Sequence, residues 1–205
     1  MQKKPVNYLA VLAVLAALAI LPSAASAAAL YSGSTKVPVG TEMVGSSIGN
    51  FKFETSSGTI ECQHSQLNAR VTENGPKNVK AEVTNLTVTG TGVEGACVTS
   101  FLGTFQVGWD LPSCMATVAT SSWTIAGCSG NTGFTINSSL AGTCHYRSGG
   151  WQIATTTTEP MILTSKAGSG AEFTKNSGGG LCWPNARIGA QYELKTAGGG
   201  GLHLQ

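Results

Sequence analysis

An all-β fold, an antiparallel β-sandwich or open β-barrel stapled by disulfides and preceded by a cleaved leader, is the class this sequence predicts. Three observations carry it. Apolar and polar residues alternate with period two in segment after segment, Gly/Asn/Ser clusters punctuate those segments, and six cysteines all lie downstream of an export-type N-terminus.

The N-terminus sets the compartment. Lys3 and Lys4 form a short basic region, Tyr8 to Leu21 is an unbroken apolar run, Pro22 breaks it, and Ala25-Ser26-Ala27 supplies the small residues that signal peptidase accepts. Residues 1–27 therefore read as a signal peptide cleaved after Ala27, and residues 28–205 as one sandwich or barrel domain, secreted to the extracellular space. The apolar run is shorter than the roughly 20 residues of a spanning helix, so no transmembrane anchor is expected in the mature protein. The first cysteine is Cys62, far from the cleavage site, which leaves no acceptor thiol for a lipid anchor.

Cleavage removes two of the twelve cations and leaves ten Lys+Arg against ten Asp+Glu, scattered along the chain. Nucleic-acid binding needs clustered cations that release counterions, and that class is excluded. Charged residues make up 11% of the chain, against about 25% in an average protein, so the surface is built of Ser, Thr, Gly and Asn. Such a surface is solvated but repels little, which favours adhesion or self-association.

Each strand signal follows in order. Leu67 to Thr72, Val79 to Thr84 and Ala190 to Lys195 alternate with one wet face each. After Thr84 the apolar positions jump from odd to even, at Leu86 and Val88, which requires a bulge or bend near Asn85. The longest alternation runs from Cys97 to Trp109, whose odd positions make one apolar strand face carrying a cysteine. Ser56-Ser57-Gly58, Glu73-Asn74-Gly75-Pro76, Gly127 to Gly133, Ser148-Gly149-Gly150 and Ser177 to Gly180 supply the turns. No segment of the mature chain carries a helical period.

Six cysteines in an oxidising compartment predict three disulfides. Fifteen pairings are open. Locality favours Cys62 with Cys97, Cys114 with Cys128 across one hairpin, and Cys144 with Cys182. Cys62-Gln63-His64 and Cys144-His145 lack a Cys-x-x-Cys or His-x-x-x-His companion, so no metal and no cofactor is expected.

Gly45-Ser46-Ser47-Ile48-Gly49 fits the nucleophile-elbow pattern, with Asp110 and His145 or His203 following in the order hydrolases use. An elbow needs a helix after the serine, whereas Asn50 to Thr55 reads as strand, so Ser47 is not expected to be a nucleophile. No two of the ten carboxylates stand out as a glycosidase pair, and His64, His145 and His203 read as polar surface residues. No catalytic residue is assigned, and the chain is expected not to be an enzyme. Thr155 to Thr158 reads as an ordinary strand, showing two hydroxyls per face rather than a flat array.

Four tryptophans remain. Trp109 and Trp123 sit in alternating runs and read as core. Trp151 follows Ser148-Gly149-Gly150 and Trp183 lies between Cys182 and Pro184, so these two, exposed near loops, are the candidate binding residues; an exposed indole stacks on a sugar ring or an apolar ligand.

Leu30-Tyr31-Ser32-Gly33, Lys36-Val37-Pro38-Val39-Gly40, Thr59-Ile60-Glu61-Cys62 and Leu181-Cys182, behind a signal peptide, resemble small secreted β-rich bacterial proteins of unknown function from actinobacteria. The order of Cys62, Cys97, Cys144 and Cys182, with Trp151 after the third, also resembles the secreted "activator of alkane oxidation" type, in which Cys114 and Cys128 have no counterpart. The second resemblance implies a surface-associated or self-assembling protein. The function expected is non-catalytic binding or assembly outside the cell, with a cell-wall or extracellular glycan, an apolar surface or the protein itself as partner. The alternatives are a secreted glycan-active hydrolase, or a small inhibitor or toxin presenting the Cys114–Cys128 segment.

Overall fold

The structure, a computed structural model, describes residues 29–99, 103–119, 121–165 and 172–205. It is built almost entirely of antiparallel strands, with one 3-10 turn at Val93–Gly95 and no α-helix among the described residues. The signal peptide expected at residues 1–27 lies outside the described residues.

In chain order the strands are β1 (Leu30–Ser32), β2 (Thr35–Lys36), β3 (Glu42–Ser47), β4 (Phe51–Thr55), β5 (Gly58–Cys62) and β6 (His64–Asn74). There follow β7 (Val79–Thr89), β8 (Cys97–Thr99), β9 (Gly103–Trp109), β10 (Ser113–Ala119), β11 (Ser122–Gly127) and β12 (Thr132–Ser138). The last six are β13 (Gly142–Ser148), β14 (Trp151–Thr155), β15 (Met161–Ser165), β16 (Glu172–Ser177), β17 (Asn185–Thr196) and β18 (His203–Leu204).

Eight of them close on themselves in the order β15-β14-β11-β10-β7-β6-β3-β17, because β17 pairs both with β3 and, through Met161↔Leu194 to Ser165↔Ala190, with β15. The expected open barrel is thus closed, and its strands have no free edge. At Gly45 on β3 an added Cβ would come within 2.8 Å of the side chain of Leu194, its partner on the neighbouring strand β17, so any larger residue there would displace that side chain.

β17 is long enough to serve two sheets. Its first residues pair with β16 and with β4, and a second, curled sheet runs β5-β4-β17-β16-β13-β12-β9-β8. Its inner face is aromatic. Phe134 lies at the centre, with ring centroids 5.3 Å from Phe53, 5.3 Å from Trp109, 5.0 Å from Tyr146 and 4.9 Å from Phe173.

The three disulfides pair in sequence order: Cys62–Cys97, Cys114–Cys128 and Cys144–Cys182. The first joins the two outermost strands of the second sheet, β5 and β8. The third ties β13 to the loop before β17, where Gly178, at φ +128°, would set a Cβ against the Cys182 sulfur.

Two expectations change. The run from Cys97 to Trp109 is a hairpin, not one strand: β8 pairs back on β9 with Cys97 opposite Phe105. Reversal there keeps inward residues at odd positions on both arms, so period-two alternation passes through the turn unmarked. The Thr155–Thr158 run is also not a strand. Only Thr155 belongs to β14, and Thr156 Oγ1 instead donates to the Pro160 carbonyl at 3.0 Å while accepting from the Ile162 amide at 2.8 Å. The bulge near Asn85 is present: Asn68 pairs with Asn85 but Ala69 pairs with Val83, leaving Thr84 as the extra residue.

A small sheet of β18-β1-β2 caps one barrel end. Buried Asn74 at the end of β6 clasps it, accepting from the Leu30 amide and donating to the Leu30 and Val37 carbonyls, each at 2.8 Å. All the hydrogen-bonding capacity of its amide NH₂ is used, which fixes where the chain enters the barrel.

Candidate functional site

The other end of the barrel holds an apolar cavity. Its walls come from both sheets: Leu67 of β6, Val83 and Leu86 of β7, Ile125 of β11, Trp151 and Ile153 of β14, and Ala190 and Tyr192 of β17, with Phe51 and Trp109 contributed by the second sheet. The alternation explains why these side chains meet, since each is an inward position of its strand. The bulge at Thr84 is what keeps Leu86 inward after the parity of β7 changes. The volume is about 40 Å³, roughly three times what one water requires. Leu86, Trp109 and Leu111, only partly buried, mark its mouth.

The polar groups in this wall are nearly all engaged. Ser65 Oγ donates to the Thr87 carbonyl at 2.8 Å, so the Tyr192 hydroxyl, 2.7 Å away, is the donor to Ser65. Burial pushes the Tyr192 phenol well above its ordinary range. The Ser113 and Thr132 hydroxyls are hydrogen-bonded to each other at 2.8 Å, and Ser165 donates to the Ile188 carbonyl at 3.1 Å. The indole nitrogens of Trp109 and Trp151 are buried without a hydrogen-bond partner.

Trp151 and Trp183 are not exposed: both are buried, at 8% and 7% accessibility. Trp151 begins β14 and turns inward into the cavity wall, edge to face with Phe173 at 5.0 Å. Trp183 is held beside the Cys144–Cys182 disulfide and is not part of the cavity. Trp123 is fully buried, whereas Trp109, read from the sequence as core, is the tryptophan left half-covered at the mouth. Position along a strand gave no means of separating these cases, because the strands that shield Trp151 and Trp183 are remote in sequence.

Ser47 lies in β3, and its Oγ accepts from the Ser65 amide at 2.9 Å. The chain continues through a short turn into β4, so the strand–serine–helix context of an elbow is absent here. His64 is exposed, His145 is bonded to Thr135 at 2.9 Å, and His203 stacks on Tyr31 at 5.9 Å. No group of three metal-ligating side chains occurs among the described residues.

Four of the ten carboxylates face cations across strands: Lys52 with Glu61, Arg70 with Glu42, Lys80 with Glu73 and Arg187 with Glu172, at 2.7 to 3.0 Å. Glu54 and Glu172 lie opposite Arg187 on the two strands beside it, along a surface groove of about 270 Å³, and the guanidinium donates to Glu172 at 3.0 Å.

No family model, curated protein or solved structure matches this chain. Among the described residues no helix is long and apolar enough to cross a membrane.

Proposed function

We propose that the protein is an exported, non-catalytic binding protein whose ligand seat is the apolar cavity at the junction of the barrel and the second sheet. The observation that carries this reading is the cavity itself: an interior space in an otherwise tightly packed barrel, walled by aliphatic and aromatic side chains, with a half-covered mouth. The space is about 40 Å³, so the ligand it takes has only a few heavy atoms unless the half-covered mouth opens. Three disulfides and the leader sequence support an oxidising destination outside the cytoplasm.

The closed barrel alters the expectation about partners. It offers no unpaired edge for strand addition, although among the described residues the second sheet leaves the outer edges of β5 and β8 unpaired. A small apolar ligand is favoured because the cavity is walled by apolar side chains, whereas a glycan would need an exposed aromatic platform.

The test is a thermal-unfolding screen of the mature protein against small uncharged apolar molecules, soluble glycans and insoluble polysaccharide. A ligand at a hundred times its Kd adds about 2.7 kcal/mol of stability. Apolar compounds are expected to stabilise the wild type and not Ala190→Leu, which fills the cavity. Stabilisation by glycans alone would refute the reading.

A further inference from the structure

Away from the cavity, the opposite end of the barrel carries a reactive pair of residues that the fold holds apart. We propose that Asn74 is a gated modification site: lifting of the β18-β1-β2 cap releases its side chain to deamidate against the Gly75 amide, and the carboxylate formed keeps the cap from closing again.

Asn74–Gly75 is the one Asn-Gly pair in the sequence. With no Cβ on Gly75 to crowd the approach, its backbone nitrogen can close on the side-chain carbonyl carbon of Asn74. The C–N bond so formed makes a five-membered succinimide; the side-chain nitrogen leaves as ammonia, taking the Gly75 amide proton with it. Water then opens the ring at either carbonyl, giving aspartate or isoaspartate. Water is the only co-reactant. In the closed protein neither partner is free to react. Asn74 is buried, its Oδ1 accepting from the Leu30 amide and its NH₂ donating to the Leu30 and Val37 carbonyls, while the Gly75 amide donates to the Asn78 carbonyl at 2.9 Å. All three side-chain bonds go to residues 30–37, so the side chain is released only when that segment lifts. The cap strands are short, three residues in β1 and two each in β2 and β18. Short segments of this kind open locally at a lower free energy than the core. The carboxylate product has no N–H to offer. Against it the Leu30 and Val37 carbonyls would face a like partial charge, and closing the cap would bury an uncompensated ion.

The experiment holds the mature protein at mildly alkaline pH across a series of urea concentrations below the unfolding transition. Deuterium uptake by residues 29–37 reads the opening of the cap, and peptide mapping by mass spectrometry reads conversion of Asn74. Conversion is expected to rise in step with that uptake while the amides of β6 and β7 stay protected. Gly75→Ala, whose Cβ would lie 3.4 Å from its nearest neighbour Asn78, is expected to slow conversion and leave the uptake unchanged. The deamidated fraction, separated by anion exchange and returned to urea-free buffer, is expected to show protection of residues 29–37 lowered by at least about tenfold, and Asn74→Asp to reproduce it. Should that variant fail to fold, the separated wild-type fraction decides alone. Conversion at one rate whether or not the cap amides exchange would overturn the gating. Wild-type protection in the deamidated fraction would overturn the latch, and no conversion while the cap amides exchange fully would remove the modification site itself.

Discussion

The barrel and the second sheet solve the same problem by different means. In the barrel every strand is hydrogen-bonded on both sides, and the interior between β6, β7 and β17 is filled by small and aliphatic side chains such as Ala69, Val71, Ala81 and Leu194. The second sheet stops short of closure. No ladder joins β5 to β8; Cys62–Cys97 connects them covalently instead, and the wider space within is filled by phenylalanine and tyrosine rings. Where backbone pairing completes the ring, no covalent link is required. Where pairing ends, the protein has placed a buried disulfide and a cluster of phenylalanine and tyrosine rings.

The largest expected effect comes from removing the centre of the aromatic cluster. Phe134→Ala should destabilise by about 3–5 kcal/mol, against about 0.5–1.5 kcal/mol for Ile125→Val in the barrel wall, measured by denaturant unfolding. Equal losses would show that the two interiors are not packed differently.

The disulfides give the next contrast. Replacing Cys62 and Cys97 together by Ser should cost about 4 kcal/mol, because the bridge spans 35 residues, and replacing Cys114 and Cys128 about 3 kcal/mol for a span of 14. Cys114 and Cys128 are exposed on the barrel's outer surface while Cys62, Cys97, Cys144 and Cys182 are buried. Mild reductant with mass-spectrometric alkylation should therefore label Cys114 and Cys128 first, with the β-sheet circular dichroism intact. Labelling of Cys62 before Cys114 would contradict this view of the second sheet.

Alkali probes one tyrosine in each region. Burial raises Tyr146 to about 12, partly offset by the Trp183 backbone, and raises Tyr192 further. The native state holds both phenols neutral, so their contribution is complete below the unfolded value near 10 and is lost as pH climbs through the folded values. Unfolding free energy measured from pH 8 to 12 should fall above pH 10. Tyr146→Phe and Tyr192→Phe should each flatten the decline, Tyr192→Phe more.

Smallest of all should be the surface ion pairs, which occur on both sheets. Arg70→Ala on the barrel and Lys52→Ala on the second sheet are each expected to change stability by no more than about 1 kcal/mol, an effect that salt removes.

Much of this contrast was legible beforehand in particular residues. Leu67–Thr72 and Val79–Thr84 declared their inward faces, the shift at Leu86 declared the bulge, and the spacing of six cysteines favoured the pairing found. The hairpin between Thr99 and Gly103 was hidden because reversal preserved the parity of the alternation. The fates of the tryptophans were hidden as well, since Trp109, Trp123 and Trp151 all occupy alternating strand positions.

The sequence by itself determined the class of structure and the inward face of most strands, and favoured the covalent links without settling them among fifteen pairings, because period-two alternation, turn residues and cysteine spacing are local properties of the chain. Tertiary structure alone decided that β17 would serve two sheets, that Met161 to Ser165 would pair with it to close the barrel, and that Phe51 and Trp109 would meet Trp151 and Tyr192 around a cavity. Those outcomes depend on which strands lie side by side. Backbone hydrogen bonding is almost indifferent to side-chain identity, so strand order is settled by the packing of faces from the whole chain, and an empty space between them belongs to no single segment.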